Sequence, residues 1–239
     1  NNDTPMSALS IEPLQNQVDK PKVSMLTEHS AKALARNFGI KTPNGRVLKP
    51  DNTDFASLTS LTTPWVLKII SKDIIHKSDG GFVALNLHNQ ADVENAISRM
   101  AEAANKLGAA VEGFLVEEMV PKGVELVVGG FRDPSFGPLV MVGLGGVFVE
   151  VFKDISFRIC PITRLDAEEM VDELMCKPIL EGARGNTAID KEALYNLLLQ
   201  VGSESGMMQN KIGIAELDLN PVIASNKGIV AVDARIRLV

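Results

Sequence analysis

One stretch of the sequence combines residue types that suit phosphate chemistry. An apolar, strand-like run contains Lys68, and the basic loop that follows it contains His76, Lys77, Gly80 and Gly81. Glycines let backbone N–H groups approach phosphate oxygens, and lysines neutralise the phosphate charge. The stretch therefore predicts a phosphate-binding loop, although its spacing differs from that of the common GxxxxGK[ST] loop.

Two interpretations are open for each of the main groups. Lys68 can face solvent from an edge strand, because a lysine is costly to bury without a partner, or it can point into a cleft and meet a phosphate. His76 can be an exposed loop residue, or its neutral imidazole can act as a nucleophile that takes up a phosphoryl group and passes it on. The other two histidines, His29 and His88, are expected to be solvated.

Acidic residues further along could contact a nucleotide. Glu117 and Glu118 end a strand of otherwise apolar residues, and Glu125 lies on the next predicted strand. Glutamates at a strand end usually form a solvated rim. They can also accept hydrogen bonds from a ribose or an adenine at a hinge between two lobes.

A second acidic group, near the end of the sequence, could bind a hard cation. Strand alternation places Glu216, Asp218 and Asn220 on one face, and Asp233 lies in the apolar strand that we expect to follow. Mg²⁺ prefers such oxygen ligands, together with water and nucleotide phosphates. A polar exposed face is the alternative, but it fits poorly with Asp233 inside so apolar a run.

Apolar periodicity predicts the elements that must position these groups. We expect helices over 27–37 and 92–107, with further helices that begin at Asp166, with Glu169 in a capping box, and at Asp190. Strands are predicted at 65–70, 82–87, 113–120, 124–130, 139–142, 147–152, 214–223 and 228–235, and 40–49 is a short strand or an extended link. The many short links favour α+β lobes over a doubly wound parallel sheet.

Composition limits the possible classes of protein. A chain of 239 residues that is 45% hydrophobic can form one large domain or two small lobes. Its net charge of −6 argues against nucleic acid or an anionic membrane as the main partner, and no apolar run approaches the length of a membrane span. Cys160 and Cys176 show no paired spacing, which predicts a reduced, cytoplasmic compartment. Residues 1–23 lack periodicity and are expected to be a linker or tail, which would suit a domain that follows another one.

Four motifs together resemble the ATP-grasp (β) subunit or domain of ADP-forming (NDP-forming) acyl-CoA synthetases, which are relatives of succinyl-CoA synthetase β. They are IIHKSDGG at 74–81, RDPxFGP at 132–138, GLGGVFVEV at 143–151, and ExDxNP at 216–221 with Val232 and Asp233 after it. The resemblance covers about 24–235. Phe82 departs from the pattern, because another glycine is expected at its position.

The resemblance implies an α+β ATP-grasp fold in which two lobes grip a nucleotide. The smaller lobe would span about 41–116, and the larger lobe would comprise 24–40 and 117–239. The implied nucleotide-binding residues are Lys68, Lys77, Gly80 and Gly81 at the phosphates, Glu117, Glu118 and Val120 at the adenine, and Glu125 at the ribose. Mg²⁺ would be bound by Asn220 and Asp233, with Asp218 close by.

The resemblance also implies a reaction. Acyl-CoA, phosphate and ADP would give acid, CoA and ATP reversibly, with His76 as the phosphoryl carrier on a mobile loop. The CoA-binding part would belong to a partner α subunit or to a fused N-terminal region, in a hetero-oligomer or dimer. Two alternatives stay open: a regulatory ATP-grasp module of a fused protein acetyltransferase, and an independent carboxylate ligase that forms an acyl phosphate.

Overall fold

The computed structural model describes residues 24–51, 53–74, 80–146, 154–183 and 187–239. Several predictions fall outside these ranges: the linker or tail at 1–23, the strand at 147–152, and the loop residues His76 and Lys77. Within the ranges, two antiparallel sheets each have an apolar core of their own. The α+β class expected from the short links is confirmed, since every paired strand is antiparallel.

The first helix is placed as the apolar spacing predicts. Strand β1 (Ser24–Met25) leads into helix α1 (Glu28–Asn37), whose N-cap is Thr27; its side chain accepts a hydrogen bond from the Ser30 N–H. Gly39, with a positive φ of 83°, follows the helix and lets the chain turn away. The buried face of α1 carries Glu28, Ala31, Lys32 and Ala35, so two charged residues share the face that packs inward.

The smaller sheet contains the lysine strand. Its strands are β2 (Gly45–Leu48), β3 (Trp65–Ile70), β4 (Val83–Leu87) and β5 (Gly113–Glu118), in the spatial order β2-β5-β3-β4. Helix α2 (Gln90–Lys106) covers one face, and its apolar stripe packs on Leu67 and Ile69. Strand β3 therefore lies inside the sheet, and the interpretation of Lys68 as an exposed edge residue is wrong.

Phe82 belongs to the same core. Its side chain is buried in the core that β3 and α2 share, and its carbonyl accepts a hydrogen bond from the Ile69 N–H. The departure from the expected glycine thus places an aromatic ring in the smaller core. Gly81, just before it, has a positive φ of 73° and is exposed, with nothing within 4 Å of a Cβ built on it.

The larger sheet holds the remaining strands. They are β6 (Val124–Asp133), β7 (Gly137–Leu144), β8 (Ile155–Ile159), β9 (Ile214–Ser225), β10 (Gly228–Ala231) and β11 (Arg235–Leu238), in the order β1-β11-β9-β6-β7-β8, with β10 also on β9. Helices α3 (Arg164–Asp172), α4 (Lys177–Leu180) and α5 (Lys191–Gly202) contribute to the core on one face. Two 3-10 helices, Phe55–Ser60 and Met207–Gln209, complete the described elements.

Three local predictions need correction. Thr163, rather than Asp166, is the N-cap of α3, and Asp166 closes the capping box from the third position because a threonine precedes it by three residues. Strands β5 and β6 follow one another in sequence but lie in different sheets, so residues 119–123 connect the two sheets. The last predicted strand is divided, and residues 232–234 lie between β10 and β11.

That division has a cause in strand β9. Leu126 of β6 pairs with Val222 while Val128 pairs with Leu219, so β9 carries an extra residue at Asn220 and Pro221. Strand β10 pairs with β9 beyond this bulge and β11 pairs with β9 before it. Residues 232–234 cross the irregular point, which leaves Asp233 outside the ladder. The lobe boundaries predicted near residues 40 and 116 stay predictions.

Candidate functional site

Four buried charges meet where α1 approaches the smaller sheet. The Lys68 Nζ atom lies 2.6 Å from Glu28 Oε1 and 3.3 Å from Glu117 Oε2. The Lys32 Nζ atom lies 2.8 Å from Glu28 Oε1 and 2.7 Å from each oxygen of Glu117. All four residues are less than a tenth exposed, and Lys32 and Glu117 are 1% exposed. The solvated-rim interpretation of Glu117 is therefore wrong.

The strand register explains why these groups converge. Trp65, Leu67 and Ile69 face α2, so alternation turns Lys68 to the opposite face of β3. On β5, Phe114 and Val116 join the same core, which turns Glu117 toward Lys68 in the same way. Helix α1 then supplies Glu28 and Lys32 from the side of the larger core, where Ala31 and Ala35 are buried. We call this cluster of four charged residues the quartet; its members are Glu28, Lys32, Lys68 and Glu117.

Electrostatics within the quartet keep Lys68 charged. Burial alone would lower the pKa of Lys68, but the negative charges of Glu28, Glu117 and Asp233 outweigh it and raise the pKa above its ordinary value. Burial and the positive charge of Lys68 lower the pKa of Lys32, against the attraction of the two glutamates. Since Lys68 also bonds the carbonyl of Val232, the residue before Asp233, the predicted phosphate-binding lysine and the predicted metal ligand are neighbours.

The backbone of Val232 joins the two predicted halves of the site. Its carbonyl oxygen accepts a hydrogen bond of 2.7 Å from Lys68 Nζ, and its N–H donates to the Pro221 carbonyl at 2.9 Å. Asn220 precedes Pro221 and Asp233 follows Val232 in sequence. The two backbone groups of Val232 therefore bring Lys68, Asn220 and Asp233 into one neighbourhood.

The acidic face on β9 forms partly as predicted. Glu216, Asp218 and Asn220 all avoid the core, whereas Leu217 and Leu219 between them are buried. Burial raises the pKa of the Asp218 carboxyl most, and the negative charges of Asp233 and Glu216 add to this effect against the opposing charge of Arg235. A nearby cation would relieve this unfavourable environment.

Glu216 is directed differently from its neighbours. Its Oε2 atom accepts a hydrogen bond of 3.1 Å from Arg237 Nε, on β11. Across the described ranges, no three His, Cys, Asp or Glu side chains gather closely enough to hold a metal ion by themselves. A cation here would therefore need Asn220, water or a phosphate beside the carboxylates of Asp218 and Asp233, and Mg²⁺ accepts that set of donors.

Glu118 lies on the other side of β5. Its carboxylate accepts hydrogen bonds from the Asn44 amide at 2.9 Å and from the Thr62 N–H at 2.8 Å. The hydrogen bond from the Thr62 backbone is the largest of the effects that lower the pKa of Glu118. Val120 is half-buried in the connection between the sheets. The side chain of Glu118 is thus held by residues that lie just before strands of the smaller sheet.

Glu125 is exposed at the start of β6, beside the glycine cluster. Its carbonyl accepts a 2.7 Å hydrogen bond from the Gly145 N–H, and a Cβ atom on Gly145 would lie 2.9 Å from the Glu125 carbonyl carbon. A Cβ on Gly146 would lie 3.0 Å from Glu125 Oε2. Close packing of one backbone on the other is a physical reason for glycine at 145.

A cavity of about 470 Å³ opens beside the quartet. One side of it is lined by Ser71, Lys72 and Ile74, which follow β3 and precede His76 in the sequence. Glu28 and Asp233 line it from the other side, together with Met25, Leu26, Thr27, Ser24, Ala234 and Arg235. The last described residue before His76 thus lies at a cavity that also reaches Asp233.

Sequence reasoning missed Glu28 and Lys32. A signal was present, since residues 28, 31, 32 and 35 form the i, i+3, i+4, i+7 pattern of one helix face. Two charged residues on that face, with alanines as the apolar members, indicate a buried ion pair. Apolar periodicity alone, on which the prediction of this helix rests, does not register a buried pair of charges.

None of the helices within the described ranges combines the length and the apolar character that crossing a bilayer requires.

Comparison with known proteins identifies the family. Residues 17–238 match the ATP-grasp domain family. The β subunit of ADP-forming acetate–CoA ligase I from Pyrococcus furiosus is 40% identical over 215 residues, which cover 89% of this chain and 91% of that subunit. ADP-forming acetate–CoA ligase I from Archaeoglobus fulgidus is 45% identical over 181 residues, which cover 75% of this chain but only 26% of that longer protein.

Solved structures agree with the sequence relatives. The dinucleotide-forming acetyl-coenzyme A synthetase 1 of Ca. Korarchaeum cryptofilum, in complex with coenzyme A and Ca-AMPCP, superposes with a TM-score of 0.84 at 44% identity and covers 90% of this chain and 93% of its own. A form of that enzyme with a phosphorylated phosphohistidine segment gives a TM-score of 0.80 at 42% identity, with the same coverage. This chain accordingly belongs to the ATP-grasp family, in the branch formed by the β subunits and domains of ADP-forming acetate–CoA ligases.

Proposed function

We propose that this chain is the nucleotide-binding component of an ADP-forming acyl-CoA synthetase, in which His76 carries a phosphoryl group to ADP. The observation that carries the proposal is the position of Val232, whose carbonyl contacts Lys68 on one side and whose N–H contacts the Asn220–Pro221 bulge on the other, next to Asp233. A phosphate-binding cation and oxygen ligands for a metal thus converge where a triphosphate would need them. The relatives named as β subunits support the same assignment.

In this proposal the nucleotide phosphates are bound by Lys68 together with Lys77, Gly80 and Gly81. The ammonium of Lys68 is held at 2.6 Å from Glu28, so it is oriented before a phosphate arrives. Gly81 is exposed with a positive φ, which suits a backbone that approaches phosphate oxygens.

The base and ribose would be recognised by the connection between the sheets. Glu117, Glu118 and Val120 are proposed at the adenine and Glu125 at the ribose. Because the carboxylate of Glu118 is occupied by Asn44 and Thr62, we assign its contribution to the backbone of 118–120.

Asn220, Asp218 and Asp233 are proposed to hold Mg²⁺, since two carboxylates and an amide oxygen leave positions for phosphate and water. When bound, the ion would neutralise charge that develops on the transferred phosphoryl group. The raised pKa of Asp218 fits this role, because a cation favours the ionised form.

Phosphoryl transfer would proceed in two displacements. An imidazole nitrogen of His76 attacks the phosphorus of an acyl phosphate, and the P–O bond to the carboxylate breaks and releases the acid. A terminal phosphate oxygen of ADP then attacks the phosphohistidine, the P–N bond breaks, and ATP forms with free imidazole. The chain contributes charge neutralisation by Lys68 in the second displacement.

The proposed partners follow from the reaction. Formation of the acyl phosphate needs a CoA-binding part, which we assign to an α subunit or to an N-terminal region fused to this chain, in a hetero-oligomer or dimer. Relatives of both lengths exist, one named a β subunit and others several times longer. We also propose a cytoplasmic location, because both cysteines are free thiols that are buried in the structure.

The test is the substitution His76→Ala, with His88→Ala as a matched control at an exposed position after β4. The full-length protein, assembled with its partner where it has one, is incubated with ATP radiolabelled at the γ-phosphate and Mg²⁺. We expect His76→Ala to abolish acid-labile labelling and synthetase activity, while His88→Ala keeps both. Acid-labile label that persists in His76→Ala would refute the role of His76. Nucleotide binding by the unsubstituted protein without any such label would instead favour a regulatory module.

A further inference from the structure

Helix α1 supplies two buried charges for which the proposed reaction has no role. Glu28 and Lys32 lie one turn apart on the inward face of α1, and they form an ion pair of 2.8 Å. An ion pair at (i, i+4) in a helix ordinarily lies at the surface and contributes little. Here both side chains are at most 3% exposed, which calls for a further partner for each charge.

Each charge of α1 contacts one residue of the smaller sheet. Glu28 Oε1 accepts a hydrogen bond from Lys68 Nζ at 2.6 Å, its shortest contact within the quartet. Lys32 Nζ lies 2.7 Å from both oxygens of Glu117 and so grips the carboxylate symmetrically. Lys68 and Glu117 are themselves 3.3 Å apart, so they could pair without help from the helix.

We propose that Glu28 and Lys32 are positioning residues for the nucleotide site: Glu28 fixes the ammonium of Lys68, and Lys32 fixes the carboxylate of Glu117. This inference rests on the proposed function, in which Lys68 binds the nucleotide phosphates and Glu117 lies at the adenine. Helix α1 is anchored by Ala31 and Ala35 in the core of the larger lobe. The larger core would thereby set the geometry of two groups that the smaller sheet carries.

Charge balance shows why both helix residues are needed. The quartet contains two cations and two carboxylates, and removal of any one member leaves one buried charge of the quartet in excess. Without Glu28, Lys68 would lose its closest acceptor and be drawn toward Glu117 and the Val232 carbonyl. Its ammonium would then be displaced, and a displacement of about 1 Å at such a site can cost about a hundredfold in rate.

The competing explanation is that the quartet only holds the lobes together. A charge-neutral double variant, Glu28→Gln with Lys32→Met, separates the two explanations. It leaves Lys68 and Glu117 as one pair, with no excess charge. If the quartet is only structural, this variant should regain both thermal stability and activity relative to Glu28→Gln alone.

The positioning role predicts a different outcome. In the double variant the melting temperature should recover toward the unsubstituted value, while kcat per active site stays at least about tenfold lower. The loss should fall mainly on kcat rather than on KM for the nucleotide, because Lys68 keeps its charge and can still attract phosphate. Recovery of kcat to within about threefold of the unsubstituted protein would overturn the proposal.

A second variant covers the case in which the double variant does not fold. Glu28→Asp keeps the charge but withdraws the carboxylate by about 1.5 Å, one C–C bond length. We expect kcat to fall at least about tenfold with the melting temperature within a few degrees of the unsubstituted protein. The matched control is Glu168→Asp, in the exposed (i, i+4) pair with Arg164 on α3, which should change neither quantity.

The measurements are made on the full-length protein with its partner, as ATP formed from ADP and as acid-labile label. A kcat for Glu28→Asp equal to that of the unsubstituted protein would refute the positioning role alone. Absence of nucleotide-dependent labelling in the unsubstituted protein would refute the proposed function itself. The two failures are therefore distinguishable.

Discussion

The substitution Lys32→Met tests how much the quartet contributes to stability. Lys32 is 1% exposed and bonds both Glu28 and Glu117, and methionine preserves the length of its side chain while removing the charge. Glu28 Oε1 and Glu117 Oε1 bond the same Lys32 nitrogen, at 2.8 Å and 2.7 Å, so they lie within about 5.5 Å of each other. At an effective dielectric constant near 20, the repulsion between the two carboxylates is then about 3 kcal/mol. Loss of one partner from a buried ion pair typically costs about 3–5 kcal/mol, which agrees with this figure.

The assay uses the protein's single tryptophan. Trp65 lies in β3, three residues before Lys68, and is buried in the smaller core, so its fluorescence reports unfolding of that lobe. We expect Lys32→Met to lower the free energy of unfolding in urea by about 3–5 kcal/mol. At roughly 2–4 °C per kcal/mol for a domain of this size, the melting temperature should fall by about 6–20 °C.

A matched control makes the result decisive. Lys177→Met removes a lysine whose partner, Asp172, is 2.9 Å away and half-exposed, and it should cost less than about 1 kcal/mol. If Lys32→Met costs no more than this surface control, the reasoning from buried charge compensation is refuted. If Glu28→Gln, added to Lys32→Met, restores most of the lost free energy of unfolding, that result would support the reasoning directly.

Two further predictions concern ionisation elsewhere. Burial raises the pKa of Cys160 to about 11 and is the largest of the causes that raise the pKa of Cys176 to about 12. Neither thiol should therefore react with iodoacetamide at pH 8 until urea unfolds the protein. Rapid labelling of the folded protein would contradict this prediction. Hydrogen bonds from Arg158 and Ser156 lower the pKa of Glu173 to about 2 from 4.5, so its stabilising contribution is present above pH 4.5 and is lost as the pH falls toward 2. Because Glu173 is half-exposed, Glu173→Gln should cost at most about 1 kcal/mol at pH 7 and clearly less at pH 2, as urea titrations at both pH values would reveal.

Local sequence signals predicted most of the elements. The helix after Thr27, the strand around Lys68 and the helix after Asp190 appear where capping and periodicity place them. These features depend on residues close together in sequence, so a single sequence contains the information. The same holds for the acidic face of β9, where Asp218 and Asn220 avoid the core as alternation requires.

What could not be predicted depends on partners distant in sequence. Whether β5 and β6 form a hairpin or enter different sheets is decided by pairing with β3 and β9, and a short turn allows both arrangements. The position of Asp233 outside the ladder depends on the bulge in β9. Lys68 was ambiguous because its burial is tolerable only with Glu28, which lies 40 positions earlier.

The order in which the chain visits its two sheets has a consequence for synthesis on the ribosome. All four strands of the smaller sheet are complete once Glu118 has emerged, whereas β1 must wait for β11, with Ser24 opposite Leu238. Because early segments can fold during translation, we expect α1 to dock on Lys68 and Glu117 before its own sheet exists. The ion pairs of the quartet would then hold α1 against the smaller sheet until β11 has been synthesised and can pair with β1.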